Sequence, residues 1–305
     1  MRRKSSDVPI FLVTGSNGQV GFELRRSLAP LGRVVALDRA VCDLSRPEQL
    51  RRVVREIRPN VVLNAAAYTA VDRAESEPEM ALAINGEAVG VLAEEVKTLG
   101  SLLVHYSTDY VFDGTKDGAY VETDSVNPQS VYGKSKLAGE RAVEASGAAT
   151  LVLRTCWVAG AHGGNFAKTI LRLARERDSL RVIADQFGAP TTAPLIADVT
   201  AQILSRHWLV RERERFPCGT YHLAASGQTT WHGYATYLLA YAESIGVTLK
   251  TRASGVVAIS ASEYPLPARR PANSRLDTTK LRHTFGVHLP DWKQGVDFLL
   301  DQIYS

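Results

Sequence analysis

Five short apolar runs, most of them separated by longer segments of helical spacing, constrain this chain more than any other feature. The runs are Val8-Pro9-Ile10-Phe11-Leu12-Val13, Val34-Val35-Ala36-Leu37, Val61-Val62-Leu63, Leu102-Leu103-Val104-His105 and Thr150-Leu151-Val152-Leu153. Between them lie Val20 to Leu28, Pro47 to Ile57, Pro78 to Leu99 and Val131 to Ala145, with Pro47 placed where a first helical turn tolerates proline. A strand that is apolar throughout must be covered on both faces, and the intervening helices supply that cover. The pattern predicts an α/β fold, a doubly wound parallel sheet running to about Arg154.

Beyond that point the character changes. Helical stretches (Phe166 to Arg177, Leu195 to Trp208, Trp231 to Ser244) mix with short strands and with Pro- and Gly-rich loops at 187–192 and 264–271. Loops of this kind over a sheet are suited to closing on a substrate. The expected division is 1–160 as a dinucleotide-binding domain and 161–305 as a smaller, mixed α/β substrate-binding part. Residues 1–7 read as a short solvated, flexible tail. That tail holds Arg2, Arg3 and Lys4, and the whole chain carries only +4, so no concentrated basic face for nucleic acid is expected. With 45% hydrophobic and 22% charged residues, the 305-residue chain has the composition of a folded globular protein. No apolar stretch reaches about 18 residues, and Val8 to Val13 is too short for a secretory core, so no membrane association is expected. Three scattered cysteines and seven histidines without ligand spacing fit a reducing cytoplasm and no structural metal.

The first apolar run leads into Gly15-Ser16-Asn17-Gly18-Gln19-Val20-Gly21 and then a helix. The spacing is GxxGxxG. Glycines allow a tight turn and close backbone approach, and a helix N-terminus offers N–H groups to a pyrophosphate. Three glycines alone are weak evidence; their place between strand and helix makes this a Rossmann-type dinucleotide loop, with Gly15 and Gly18 against the cofactor. Asp38 ends the second run and can accept from adenosine ribose hydroxyls, which favours NADH. Arg39 follows and can pair with a 2′-phosphate, which favours NADPH. The choice stays open. Asp43 and Leu44 are placed to cover the adenine, and the small side chains of Asn64-Ala65-Ala66-Ala67 let a flat cofactor lie on the sheet edge.

Tyr132-Gly133-Lys134-Ser135-Lys136 holds YxxxK spacing, which puts a phenol and an ammonium on one helix face. The ammonium is expected to lower the phenol pKa from roughly 10 and to hold a nicotinamide ribose, with Tyr132 giving the proton to a carbonyl oxygen. Such spacing is common on surface helices; its meaning comes from following the fourth strand of a dinucleotide fold. That strand ends in Ser107-Thr108-Asp109-Tyr110. Thr108 is the candidate to orient a carbonyl beside Tyr132, Ser107 is a weaker one, and Asp109 can bind a sugar hydroxyl.

Taken together, these residues resemble the dTDP-4-dehydrorhamnose reductase family of extended short-chain dehydrogenases/reductases. The resemblance also runs through Arg154-Thr155-Cys156-Trp157-Val158, Gly164-Asn165-Phe166-Ala167-Lys168, Asp185 to Thr191 and Ala268 to Leu276, and so spans about Val8 to Gln302. It implies reduction of the 4-keto group of dTDP-4-dehydro-β-L-rhamnose with NADPH or NADH, for dTDP-rhamnose and hence lipopolysaccharide or O-antigen synthesis. It implies cofactor contacts at Gly18, Gln19, Val20, Asp38, Asp43, Leu44, Ala67, Tyr68 and Thr69. Thr108 and Asp109 would face the sugar, Trp157 would pack on it, and Asn165 falls in a matched run on the substrate side. A diphosphate needs cations, and Arg269, Arg270, Arg275 and Lys168 are candidates. Some relatives dimerise around a Mg2+ held by helix glutamates. Glu23 matches one such position, but Pro194 and Gln302 stand where others would be, which argues against Mg2+ here and for a monomer or a differently built homodimer. Two other readings share these motifs: a reductase or epimerase on another nucleotide sugar, and a non-catalytic regulator like the methionine adenosyltransferase beta subunit.

Overall fold

The computed structural model describes residues 8–210 and 215–304, so the expected tail at 1–7 lies outside the described residues. The chain begins with β1 (Ile10–Thr14), α1 (Gln19–Leu28), β2 (Arg33–Leu37), α2 (Pro47–Ile57) and β3 (Val61–Asn64). Then come α3 (Val71–Ala74), α4 (Pro78–Leu82), a π-helical turn at Ala83–Glu87, α5 (Ala88–Leu99), β4 (Leu102–Thr108), α6 (Val131–Ser146) and β5 (Ala149–Thr155). The second half holds β6 (Val158–Ala159), α7 (Phe166–Glu176), β7 (Leu180–Ile183), β8 (Phe187–Gly188), β9 (Thr191–Thr192), α8 (Ala193–Ile203) and β10 (Gly219–His222). It ends with β11 (Thr229–Thr230), α9 (Trp231–Ser244), β12 (Val256–Ile259), α10 (Thr279–Phe285) and α11 (Trp292–Tyr304).

The main sheet has the order β10-β5-β4-β3-β1-β2, and every pair in it is parallel. Alternation along each strand sends neighbouring side chains to opposite layers. Phe11, Val13, Val61, Leu63, Leu102 and Val104 enter the core beneath α1 and α8. Leu12, Val62 and Leu103 enter the core beneath α2 and α5. Each buried aliphatic side chain stabilises the fold by roughly 1.5–3 kcal/mol, so a sheet covered on both faces is what these apolar runs favour. Strand order reverses at β1: β2 lies on one side and β3 on the other. The carboxyl ends of β1 and β3 therefore open the crevice where such sheets bind ligands.

The sheet layer draws on both sides of residue 160. β10 pairs with β5, and Leu204, Trp208, Phe216 and Phe285 share the core under α1. The remaining C-terminal residues build a second core from α7, α9 and α11, around Ile170, Leu171, Tyr234, Leu238, Leu239, Val296 and Leu300. The stretch read as one helix over 78–99 is interrupted by the π turn, which buries Asn85. Its side chain accepts from Tyr68 N (2.8 Å) and donates to Tyr68 O (3.0 Å) and Ser135 Oγ (3.0 Å). The segment after β3 is thereby fixed to α6. None of the helices among the described residues is long and apolar enough to cross a membrane.

Candidate active site

A cleft of ≈ 640 Å³ opens at the carboxyl ends of β1, β2 and β3 and reaches α6. Its lining includes Gly15, Gly18, Gln19, Val20, Asp38, Arg39, Asp43, Leu44, Ala67, Tyr68, Thr69, Tyr132 and Lys136. All the residues expected to contact a dinucleotide are thus in one cavity, although they come from four separate stretches of chain.

The glycine turn has the shape of a cradle. Gly15 has φ +68°, and a Cβ there would lie 2.7 Å from the Ala66 backbone; a Cβ on Gly21 would lie 2.1 Å from the Gly15 carbonyl oxygen. Gly18 is the N-cap of α1, no side chain caps that end, and no acidic residue stands in its first turn. The free N–H groups and the positive end of the helix suit a pyrophosphate. Asp38 takes Asn17 Nδ2 (3.1 Å) on one oxygen and the N–H groups of Ala40 (3.0 Å) and Val41 (3.3 Å) on the other. Arg39 is 74% exposed and only 3.7 Å from Asp43, which leaves its guanidinium loosely held.

Lys136 is buried and Tyr132 half-buried at the cleft floor, one helical turn apart. Burial pushes the Tyr132 phenol up to about 12; a hydrogen bond with Thr108 opposes this and the Asp109 charge adds to it. The expected lowering by Lys136 is not found. Lys136 Nζ instead donates to the Tyr106 carbonyl oxygen at 2.6 Å and stands 3.3 Å from His105 Nε2. Burial brings the Lys136 amine down to about 8, against the opposing charge of Glu140. Thr108 Oγ1 donates to Asp109 Oδ1 (3.0 Å) and accepts from Tyr110 N (3.2 Å). The weaker candidate, Ser107, has its hydroxyl committed to Glu140, which is itself paired with Arg154. Asp109 is buried with Oδ2 unpartnered, and burial raises it to about 6 despite hydrogen bonds from Ser274 and Thr108.

The residues expected on the substrate side are held by protein partners. Trp157, at φ +46° and half-buried, stacks on Trp231 with ring centroids 3.6 Å apart and packs against Gly188, so protein takes up part of its indole surface. Asn165 caps α7 by accepting from Lys168 N and donates to Gly160 O (2.7 Å) and Gln19 Oε1 (2.9 Å). Lys168 Nζ donates to Ala161 O at 2.9 Å. Both belong to a strap over the glycine turn, in which His162 meets Asn17 O at 3.0 Å and stacks on Phe22. Arg270 pairs with Asp72 at 2.7 Å. Arg275 bonds to Asn273 (2.8 Å), Gln228 (3.2 Å) and the Asp117 carbonyl, and Arg269 reaches Gln129 at 3.5 Å. None of the three arginines lines the cleft that holds Tyr132. Glu23 is paired with Arg26 at 3.2 Å, and Pro194 and Gln302 line a groove with Arg26 and Asp198.

Sequence reasoning missed Tyr106, Thr155, Val158, Gly163 and Gly164 as cleft-lining residues. Strand position would have found Tyr106 and Thr155, since both lie at carboxyl ends of parallel strands. The strap glycines carried no signal apart from the family-like run around Asn165.

Comparisons with known proteins agree along nearly the whole chain. The family model described as RmlD substrate binding domain matches residues 10–305. A dTDP-4-dehydrorhamnose reductase of Burkholderia thailandensis is 52% identical over 294 residues, covering 96% of this chain and 99% of the relative. One of Salmonella typhimurium is 48% identical, covering 96% and 98%. The solved structure of a dTDP-4-dehydrorhamnose reductase ortholog from Clostridium acetobutylicum aligns with TM-score 0.88 at 33% identity, over 97% of this chain and 100% of that one. That of the reductase from Bacillus anthracis, in complex with NADP, aligns with TM-score 0.87 at 32% identity, over 97% and 99%.

Proposed function

Because the chain belongs to the RmlD substrate binding domain family, we propose that it is an NAD(P)H-dependent dTDP-4-dehydrorhamnose reductase, turning the 4-keto group of dTDP-4-dehydro-β-L-rhamnose into the hydroxyl of dTDP-β-L-rhamnose. The observation that carries this reading is the cleft itself: Tyr132 and Lys136 share one cavity with the Gly15–Gly21 turn. The donor set fits a nicotinamide dinucleotide, with Gly15, Gly18, Gln19 and Val20 at the pyrophosphate. Asp38, Arg39, Asp43 and Leu44 would meet the adenosine, and Ala67, Tyr68, Thr69 and Lys136 the nicotinamide half. Such a cofactor supplies a hydride to the carbonyl carbon.

The chain's own residues handle the proton. A phenol held up to about 12 keeps its proton at neutral pH, yet a developing alkoxide is more basic still, so transfer from Tyr132 to the sugar oxygen runs downhill as the hydride arrives. Thr108, hydrogen-bonded to that phenol, orients the carbonyl beside it. Asp109 faces the sugar with one oxygen unpartnered. Trp157, Asn165 and Lys168 shape the wall and the strap, and Arg269, Arg270 and Arg275 belong to the loop that meets the diphosphate. We read 1–160 with β10 and α8 as the cofactor-binding unit and the rest of 161–305 as the sugar-nucleotide side.

The test is NADPH and NADH oxidation by the purified protein with enzymatically generated dTDP-4-dehydrorhamnose, with the product identified. Formation of dTDP-rhamnose is expected. Cofactor binding without turnover, where a control reductase works, would refute the reading and turn attention to another nucleotide sugar or to a regulatory role.

A further inference from the structure

Three polar residues stand at one level on three adjacent strands. Parallel register sets Thr14 of β1 beside Asn64 of β3, and Asn64 beside His105 of β4. All three are buried, where a polar side chain costs stability unless it is given partners. They partner one another. The Ala66 N–H donates to Thr14 Oγ1 over 3.4 Å, and Thr14 Oγ1 donates to Asn64 Oδ1 over 2.7 Å. Asn64 Nδ2 lies 3.2 Å from His105 Nδ1, and His105 Nε2 lies 3.3 Å from Lys136 Nζ. The line starts at the backbone beside the cleft and ends on the cleft lysine, and the proton transfer from Tyr132 makes no use of it.

We propose that Thr14, Asn64 and His105 form a positioning chain that holds the Lys136 amine at the cleft floor and sets the pH at which it takes up its proton. The inference rests on Lys136 being a working group of the cofactor cleft. Its direction follows from matching donors to acceptors. Thr14 receives the Ala66 N–H and turns its own proton toward Asn64 Oδ1. The Asn64 amide nitrogen, a donor, then faces His105 Nδ1, which must accept. A neutral imidazole that accepts at Nδ1 carries its proton on Nε2. That proton points at Lys136 Nζ, where a free amine offers a lone pair and an ammonium offers only another N–H. The chain therefore favours the amine.

The groups around it do not take over this role. His105 stays neutral, held well below its ordinary value by burial and then by the Lys136 charge. On the lysine's own helix stand Tyr132, which keeps its proton, and Glu140, which favours the ammonium but is paired with Arg154 at 2.6 Å. The Tyr106 phenol bonds to Thr200 at 3.0 Å, away from the lysine.

Three substitutions relax the chain at three distances. Thr14→Val, nearly isosteric, frees Asn64 to turn its oxygen toward His105, so that Nδ1 takes the proton and Nε2 becomes an acceptor. Asn64→Leu removes the donor with the same result. His105→Gln puts an amide oxygen within reach of the ammonium. Each is expected to raise the Lys136 midpoint by about one pH unit, a tenfold change in protonation. The measurement is an NMR titration of ¹³C-labelled lysine in purified protein with no nucleotide added, with the Lys136 signal identified by its loss in Lys136→Arg. An unchanged or lowered midpoint in Thr14→Val and His105→Gln overturns the proposal. No turnover enters the measurement, so failure of the reductase reading and failure of this one are told apart.

Discussion

The glycine end of the cleft and the charged C-terminal loops outside it are built on opposite plans. At the glycine end, backbone N–H groups and small residues face the cavity, and they stay in place because neighbouring backbone leaves no room for anything else. In the C-terminal part, the charged side chains proposed to meet the diphosphate already hold protein partners: Arg270 on Asp72, Arg275 on Asn273 and Gln228, Lys168 on Ala161. On the proposed function the first surface would meet its ligand as it stands. The second would have to trade one partner for another, so that its affinity would be a difference between two sets of contacts.

The contrast breaks most severely at Gly21. Gly21→Ala places a methyl 2.1 Å from the Gly15 carbonyl oxygen, and we expect nucleotide binding to be lost in calorimetry and the fold to weaken by about 1–3 kcal/mol. Unchanged binding would mean that the turn is not the rigid element it is taken to be. Next is Tyr132→Phe, which should lower kcat by about 10²–10⁴ while leaving NADPH affinity unaltered; turnover at a similar rate would reassign the acid.

Asp109 sharpens the comparison through pH. Its carboxyl is raised to about 6 by burial, against about 3.9 in an unfolded chain. A raised acid contributes stability that is fully present below about pH 4 and is lost as pH climbs through 6. Asp109→Asn should therefore flatten the stability profile between those values and strengthen the fold at pH 7 by about 2–3 kcal/mol, read from denaturant melts at pH 4, 5, 6 and 7. An unaltered profile would show that Asp109 is not the group that titrates. The smallest effect is expected for Asp72→Asn, which frees Arg270 from its ion pair. An exchange of partners predicts a KM for the nucleotide sugar lower by about 2–5-fold, in line with an ion pair of 0.2–1 kcal/mol. A higher KM would instead make that pair the element that orders the loop.

The same division separates what the sequence discloses from what it hides. β1 to β5 are legible because each is an apolar run long enough to need cover on two faces, and the cofactor end is legible because a glycine turn has few physical alternatives. Gly219-Thr-Tyr-His222 carries no such signal; it becomes a strand only because β5 offers it an open edge. The arginines of 269–275 are visible as charges, but whether Arg270 meets a phosphate or Asp72 depends on a helix nearly two hundred residues earlier. Lys136 shows the limit within one motif. Helical spacing places it beside Tyr132, while the direction of its amine is decided by Tyr106 and His105 across the sheet.

The π turn at Ala83–Glu87 makes α4 and α5 two cylinders running out of phase. Removing a single residue there would restore a regular helix and rotate one half against the other by about 100°. Asn85 would then swing away from Tyr68 and Ser135, although the composition of that stretch would hardly change. Tolerance of length change along this helix is accordingly uneven: its solvent-side substitutions are mild, whereas a one-codon deletion before Glu87 acts on the cleft wall as a mechanical gear skipping a tooth.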